Sequence, residues 1–359
     1  MGVLENLKCI TTEKPLSQMK AAMYYSQQDI RIEEIPVPEI NEDQALIEMK
    51  ACGICGSDLM DWYIESRVPL VLGHEPAGII AKKADKVKGL NVGDRVFVHH
   101  HVACLKCHYC LHGDYTLCEQ FHKTNIEPGG FAEYFKVPAP NLQIDTLKIP
   151  ESMSFEEATF IEPAGCCLRA LKKCNIQKGD SVTIIGAGAT GIIHTALSKI
   201  FGASKTIVSD LIDYRLEVAK KFGADIAVNP ESEDLNKVVK AETENRGVDI
   251  AIVTAPSIEA YKAGVSVCRK GGKLCVFAPT QPGKYLQISP KELFFSEIQI
   301  IPSYSSSHLE TRAALELIES GRLNVKDLIT HRFRLVDAAK ALKIALESKE
   351  SLKVIVLNG

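Results

Sequence analysis

The sequence predicts an α/β protein of two domains, one mostly β and one a doubly wound parallel sheet, and three observations carry that prediction. At 359 residues the chain exceeds what one ordinary core holds. Up to about Pro163, short strands are broken by Gly and Pro, with period-two alternation in QALIEMKA and DRVFVHH. From about Leu168 to Pro302 the apolar runs VTIIG, TIVSD, DIAVN, VDIAIV and KLCVFA alternate with helical stretches such as LIDYRLEVAKKFGA and SIEAYKAGVSVCRKG. That rhythm belongs to βαβ units around a parallel sheet.

In chain order, residues 1–18 form an N-terminal extension without the basic start and apolar run of a signal peptide. Residues 19–165 form the β-rich domain. Within it LGHE sits at a strand end, which puts His74 on a loop facing a cleft. A cysteine-rich lobe covers 99–123, and residues 166–302 form the parallel-sheet domain. Ser181 to Ser198 carries no charge, but its glycines and His194 answer to a strand, a tight turn and a helix rather than a membrane span. The tail, 303–359, has helices near 309–320 and 336–347 and a closing strand KVIVLN, and is expected to pack back on the first domain.

Composition narrows the class. With 46% hydrophobic and 24% charged residues and a net charge of −3, the chain reads as a globular protein without the basic surface of a nucleic-acid binder. Its 12 cysteines are too concentrated for a disulfide scaffold and fit a reducing cytoplasm. Cys9, Cys52, Cys174, Cys268 and Cys275 read as ordinary packing residues.

Two metal sites are the strongest chemical signal. Cys104, Cys107, Cys110 and Cys118, in a CxxCxxCx7C run, can close a thiolate tetrahedron around zinc and leave no open position, which makes a structural site. An iron–sulfur cluster uses similar early spacing, but the last gap is long and no proline follows Cys118; disulfides are the remaining alternative. Cys55 in GICGSD and His74 in GHEPAG, with a third ligand from elsewhere, leave one zinc position open for chemistry. FIEPAGCCLRAL offers Glu162, Cys166 and Cys167 for that third place. Glu162 could also simply begin a helix, and Ser57 could cap one starting at Asp58. His99, His100 and His101 look like a metal tract, yet on a strand their side chains alternate faces, so they read as structural.

Gly186, Gly188 and Gly191 in GAGATG follow the strand VTII and open a helix, the setting in which a GxGxxG turn cradles a pyrophosphate on a helix N-terminus. Thr190 lies inside this turn, and Val276, Phe277 and Ala278 close the run KLCVFA as further candidate cofactor contacts. Asp210 ends the next strand, where a carboxylate accepts both ribose hydroxyls and repels a 2′-phosphate; NAD is therefore expected over NADP, with Arg215 as the one nearby cation that could favour NADP.

The succession GICGSD, LGHEPAG, the cysteine lobe, PGGFAEY and GAGATG resembles the zinc-dependent medium-chain dehydrogenases of the alcohol dehydrogenase superfamily, and covers the chain from about Met19 onward. The resemblance implies a GroES-like catalytic domain and a Rossmann domain. It implies two zinc ions per chain, one structural and one catalytic. Cys55, His74 and Glu162 would hold the catalytic zinc, with Glu75 binding it directly or through water. Glu162 stands where the alcohol dehydrogenases proper have a cysteine, which is similar to the polyol and threonine dehydrogenase branch. In this family the residue at the position of Ser57 begins the proton relay. Cys166, read here as packing, would face the nicotinamide.

Departures bear on substrate. Met60 replaces the histidine that ends the relay in many relatives, Asp61 replaces a polyol-contacting tyrosine of the sorbitol-type branch, and Ser303–Tyr304 replaces its Arg-Tyr pair. Asp61 and Tyr304 are therefore the substrate candidates, and an acid at 61 suits a neutral polyhydroxy ligand or a cationic amine. The expected activity is hydride transfer from a secondary alcohol of a polyol, cyclitol or diol to NAD by a cytoplasmic homo-oligomer, a tetramer or dimer, with no nucleic-acid or membrane partner. Alternatives are an L-threonine-type amino-alcohol dehydrogenase, a zinc-free quinone reductase of the same fold, and a non-catalytic zinc-binding interaction protein.

Overall fold

The structure, a computed structural model, describes residues 17–359; the greater part of the expected N-terminal extension, with Cys9, lies outside the described residues. Strands β1 (Gln18–Ser26), β2 (Asp29–Pro36), β3 (Ala45–Gly53), β4 (Leu70–Val71), β5 (Glu75–Lys83), β6 (Arg95–Val98), β7 (Tyr134–Val137) and β8 (Thr146–Lys148) build the first domain. Six parallel strands follow: β9 (Ser181–Ile185), β10 (Lys205–Ser209), β11 (Ile226–Val228), β12 (Val248–Val253), β13 (Cys268–Val276) and β14 (Gln299–Pro302). Their spatial order, β11-β10-β9-β12-β13-β14, is that of a doubly wound dinucleotide fold with its switch point between β9 and β12.

The longer helices are α1 (Ile161–Lys173), α2 (Ala189–Ile200), α3 (Asp213–Lys221), α4 (Leu235–Glu242), α5 (Ile258–Val267), α6 (Pro290–Ser296), α7 (His308–Glu319) and α8 (Ala338–Glu347). The α1 helix spans the 165/166 boundary, so one rigid element carries residues of both domains. Its buried face packs with Ile184 of the parallel sheet, Ile192 and Leu197 of α2, and Phe97 and Ala77 of the β domain. The tail adds β15 (Ile329–Arg334) and β16 (Lys353–Leu357), and β16 pairs antiparallel with β3, Ile355 opposite Gly53.

Two local expectations change. The stretch SIEAYKAGVSVCRKG is helical only to Val267; Cys268 begins β13 because it pairs in parallel with Val248 of β12, and sheet pairing overrides local helical periodicity. The strand under DRVFVHH ends at Val98, so the three histidines leave the pleat and their faces do not alternate.

Among the described residues no helix is long and apolar enough to cross a membrane.

Candidate functional site

The cleft lies where the loop after β3 and the start of β5 meet α1. A 3-10 turn over Gly56–Leu59 takes Cys55 as its N-cap, and the Cys55 amide donates to Asp58 Oδ2 at 3.0 Å. Ser57 thus sits inside the turn and does not cap it. Asp58, nearly fully buried, places its other oxygen 3.2 Å from His74 Nδ1. That contact fixes the imidazole and turns its second nitrogen toward Cys55, as a metal-ligating histidine requires. Burial works against charge on His74, but Asp58 and Cys55 outweigh it and raise its pKa well above the ordinary value.

Cys55, His74 and Glu75 bring their donor atoms within 4.8 Å of one another. Glu75 is fully buried; one oxygen accepts from Lys353 of β16, which also donates to the Ile54 carbonyl at 3.2 Å, and Oε1 has no partner. Burial pushes the Glu75 carboxyl up against the pull of Lys353. Gly53 makes room for this pair, since a Cβ there would stand 2.1 Å from Glu75 Oε2. An unpartnered buried carboxylate oxygen beside a thiol and an imidazole is a donor set that zinc fits.

Glu162, buried in the first turn of α1, belongs to an adjoining set with His99 and His100, again within 4.8 Å. The sets touch, with the His74 and His100 rings 4.9 Å apart. Cys166 donates to Glu162 Oε1 at 3.2 Å, while Cys167 is buried against the glycine turn at the Thr190 carbonyl. Of the histidine tract, His99 and His100 lie in this cluster, while His101 bonds through Nδ1 to the Thr124 carbonyl.

In the lobe, Cys104, Cys107, Cys110 and Cys118 gather within 4.8 Å around a small core with Ala103 and Phe121. A zinc tetrahedron of thiolates has edges of about 3.8 Å; Cys107–Cys110 and Cys104–Cys110 lie at 3.5 and 3.9 Å. The Lys106 and Cys107 amides hold the Cys104 thiol down at about 6, so it is ready to ligate near neutral pH, whereas burial pushes Cys110 up to about 12 in the metal-free lobe.

In the cofactor domain Gly186 adopts φ +104°, and a Cβ on Gly191 would stand 1.9 Å from the Gly186 carbonyl oxygen, so β9 and α2 meet only through glycine. Gly188 caps α2 without a side-chain bond and faces open space, leaving the first amides free for a phosphate. Asp210 accepts from the Ala187 amide at 2.6 Å and the Ile212 amide at 2.9 Å, which holds its carboxylate beside the turn. Arg215 donates instead to the Ser351 carbonyl at 3.3 Å. Val276 ends β13 and Phe277 and Ala278 follow it; Phe277 packs edge-on against buried His194, and Tyr261 donates to the Ala278 carbonyl. Loop, acid and strand end together are the candidate dinucleotide cradle.

With fold and cradle in place, the comparisons fall into line. Residues 41–151 match the family described as alcohol dehydrogenase GroES-like domain, and 189–320 match zinc-binding dehydrogenase. The chain belongs to the zinc-dependent medium-chain dehydrogenases. It is 37% identical over 349 residues to a sorbitol dehydrogenase of Bacillus subtilis (strain 168), covering 94% of this chain and 97% of that protein. An L-threonine 3-dehydrogenase of Pyrococcus horikoshii is 33% identical over 355 residues, covering 96% and 99%. A zinc-binding dehydrogenase of Sinorhizobium meliloti 1021 bound to NADP superposes with a TM-score of 0.85 at 28% identity, covering 95% and 99%. As a medium-chain dehydrogenase this chain is an oxidoreductase using zinc and a nicotinamide cofactor, and the non-catalytic interaction protein and zinc-free reductase are set aside.

Of the two substrate candidates, Asp61 lines the groove between the domains and Tyr304 does not. Tyr304, about half exposed, stands near Tyr63, Cys166 and Glu162; burial first, then these neighbours, pushes its hydroxyl up to about 12. Asp61 accepts from the Tyr24 hydroxyl at 2.6 Å and lines a 650 Å³ groove between the domains with Trp62, Glu65, Glu259 and Lys284. Sequence reasoning missed Asp58, Tyr63 and Lys353. Asp58 stood in GSD, and a lysine opening the otherwise apolar strand KVIVL was the visible signal for Lys353.

Proposed function

We propose that this dehydrogenase oxidises a secondary alcohol of a polyol, cyclitol or short diol to the ketone, using NAD and two zinc ions per chain. The observation that carries this reading is the Cys55–His74–Glu75 set beside buried Glu162, in which thiol, imidazole and a buried carboxylate converge. When bound, zinc there supplies Lewis acidity to the substrate hydroxyl and the nicotinamide accepts the hydride.

The chain's own residues do the rest. Asp58 orients His74, Lys353 compensates Glu75, and Glu162 is the candidate third zinc ligand. Ser57, two residues after Cys55, takes the hydroxyl proton; Met60 offers no acceptor, so the relay ends on water or the cofactor ribose. Asp210 selects NAD by repelling a 2′-phosphate, and Arg215, committed to Ser351, is not turned toward it. The four-cysteine lobe holds the structural zinc.

The groove at Asp61 carries three carboxylates, Asp61, Glu65 and Glu259, and one ammonium, Lys284, which disfavours phosphate and carboxylate substrates. The same excess of carboxylates favours a second reading, an amino-alcohol substrate of the L-threonine type. A homo-oligomer is part of the proposal, since edge strand β14 exposes Ile300 next to Phe294 and Phe295 of α6. NADH formation by the zinc-loaded protein over polyols, cyclitols, 2,3-diols, L-threonine and sugar phosphates tests these assignments. Turnover on a neutral polyol or diol is expected; a preference for L-threonine moves the assignment to the second reading, and a sugar phosphate as best substrate overturns both.

A further inference from the structure

The set formed by His99, His100 and Glu162 is built like a metal site in its own right. A histidine that ligates a metal commits its other ring nitrogen to a carboxylate or a backbone carbonyl. His99 does so: Nδ1 lies 3.0 Å from Asp145 Oδ2, and the Thr311 hydroxyl donates to the same carboxylate at 2.8 and 2.9 Å, so Asp145 is anchored from two sides. The nitrogens left over, His99 Nε2 and His100 Nδ1, are buried and have no partner. Two buried ring nitrogens without a partner are costly unless something pairs with them. Glu162 brings a carboxylate to the same space, its Oε1 taken by Cys166, and all three donors lie within 4.8 Å.

We propose that His99, His100 and Glu162 form a second seat for a divalent cation, next to the seat at Cys55, His74 and Glu75. The donor set is two imidazoles and a carboxylate without thiolate, a combination suited to zinc or cobalt(II). An ion there draws the three donors in to edges of about 3.3 Å. Two dications in neighbouring seats repel, so the second fills after the first and binds more weakly. It also competes for Glu162, which the proposed function assigns to the first seat. The inference rests on that assignment only for its order of filling.

The test is a metal titration of the full-length protein, first stripped and then loaded with cobalt(II), read by bound-metal analysis and electronic absorption. Two equivalents are expected to bring thiolate-to-metal charge transfer, from the cysteine lobe and Cys55. A third, weaker equivalent is expected to add ligand-field absorption without further thiolate charge transfer. His100→Ala is expected to lose the third equivalent and keep the first two. Saturation at two equivalents in the native protein overturns the proposal, as does a third equivalent that carries thiolate charge transfer or survives His100→Ala. The native titration decides even if the variant does not fold. Failure of the proposed function shows separately, as an absent Cys55-dependent second equivalent.

Discussion

Lys353 and Glu75 are both sealed from solvent, and neither can be removed alone without leaving a charge uncompensated. Lys353→Met is expected to cost about 3–5 kcal/mol, measured as a lowered urea midpoint, and Lys353→Met combined with Glu75→Gln should recover part of that loss. The glycine turn offers a sharper contrast. A Cβ at Gly188 meets nothing within 4 Å, whereas at Gly191 it meets the Gly186 carbonyl at 1.9 Å. Gly188→Ala should therefore leave the melting temperature unchanged and weaken NAD binding by about tenfold, or about 1.4 kcal/mol. Gly191→Ala should lower both, by thermal melt and calorimetric titration. Residues such as Gly186 and Cys107 were legible because their chemistry is local: a turn, or thiols three apart. Asp145 and Lys353 were not, because their partners lie 46 and 278 residues away and only the fold brings them together.

At the scale of elements, β14 is an open sheet edge. It closes one edge of the parallel sheet, with Ile300 41% exposed and Phe294 and Phe295 of the preceding helix 76% and 68% exposed. A row of unpaired backbone groups flanked by exposed aromatics is the kind of surface that a second copy covers. Ile300→Lys is expected to shift the sedimentation coefficient toward a smaller species without changing the circular dichroism spectrum; an unchanged sedimentation profile would count against assembly through this edge. The βαβ rhythm made the parallel strands readable in advance. The end of β6 was not, since nothing in VFVHH itself marks Val98 as the last strand residue; the bond from the His99 amide to the Asp145 carbonyl keeps the register of the β6–β8 pairing for one residue more. His99 and His100, just past the end of that strand, lie together with Glu162.

At the scale of the whole molecule, acid should unfold it through carboxylates spread over the cofactor domain and the helix that braces it. Burial opposes charge on Asp249, but the Ser181 amide and hydroxyl and Arg269 outweigh it and hold its carboxyl low. Asp225 is held low in the same way by Thr206 and Lys199, and Glu310 by Ser307 and Lys172. With folded pKa values below unfolded ones, these groups contribute stability above about pH 4, the unfolded range, and lose it as pH falls through their folded values. Asp249→Asn should flatten the fall of unfolding free energy below about pH 4, followed by denaturant titration at stepped pH. The strand that ends in Leu357 has one more consequence, for synthesis. Glu75 is translated early, yet its counter-charge comes 278 residues later, after the entire dinucleotide sheet. Domains usually fold from the N-terminus as they emerge, but here the catalytic sheet must wait with a buried carboxylate unmatched until the closing strand leaves the ribosome. A nascent chain halted before residue 353 should bind dinucleotide and yet lack a finished catalytic pocket.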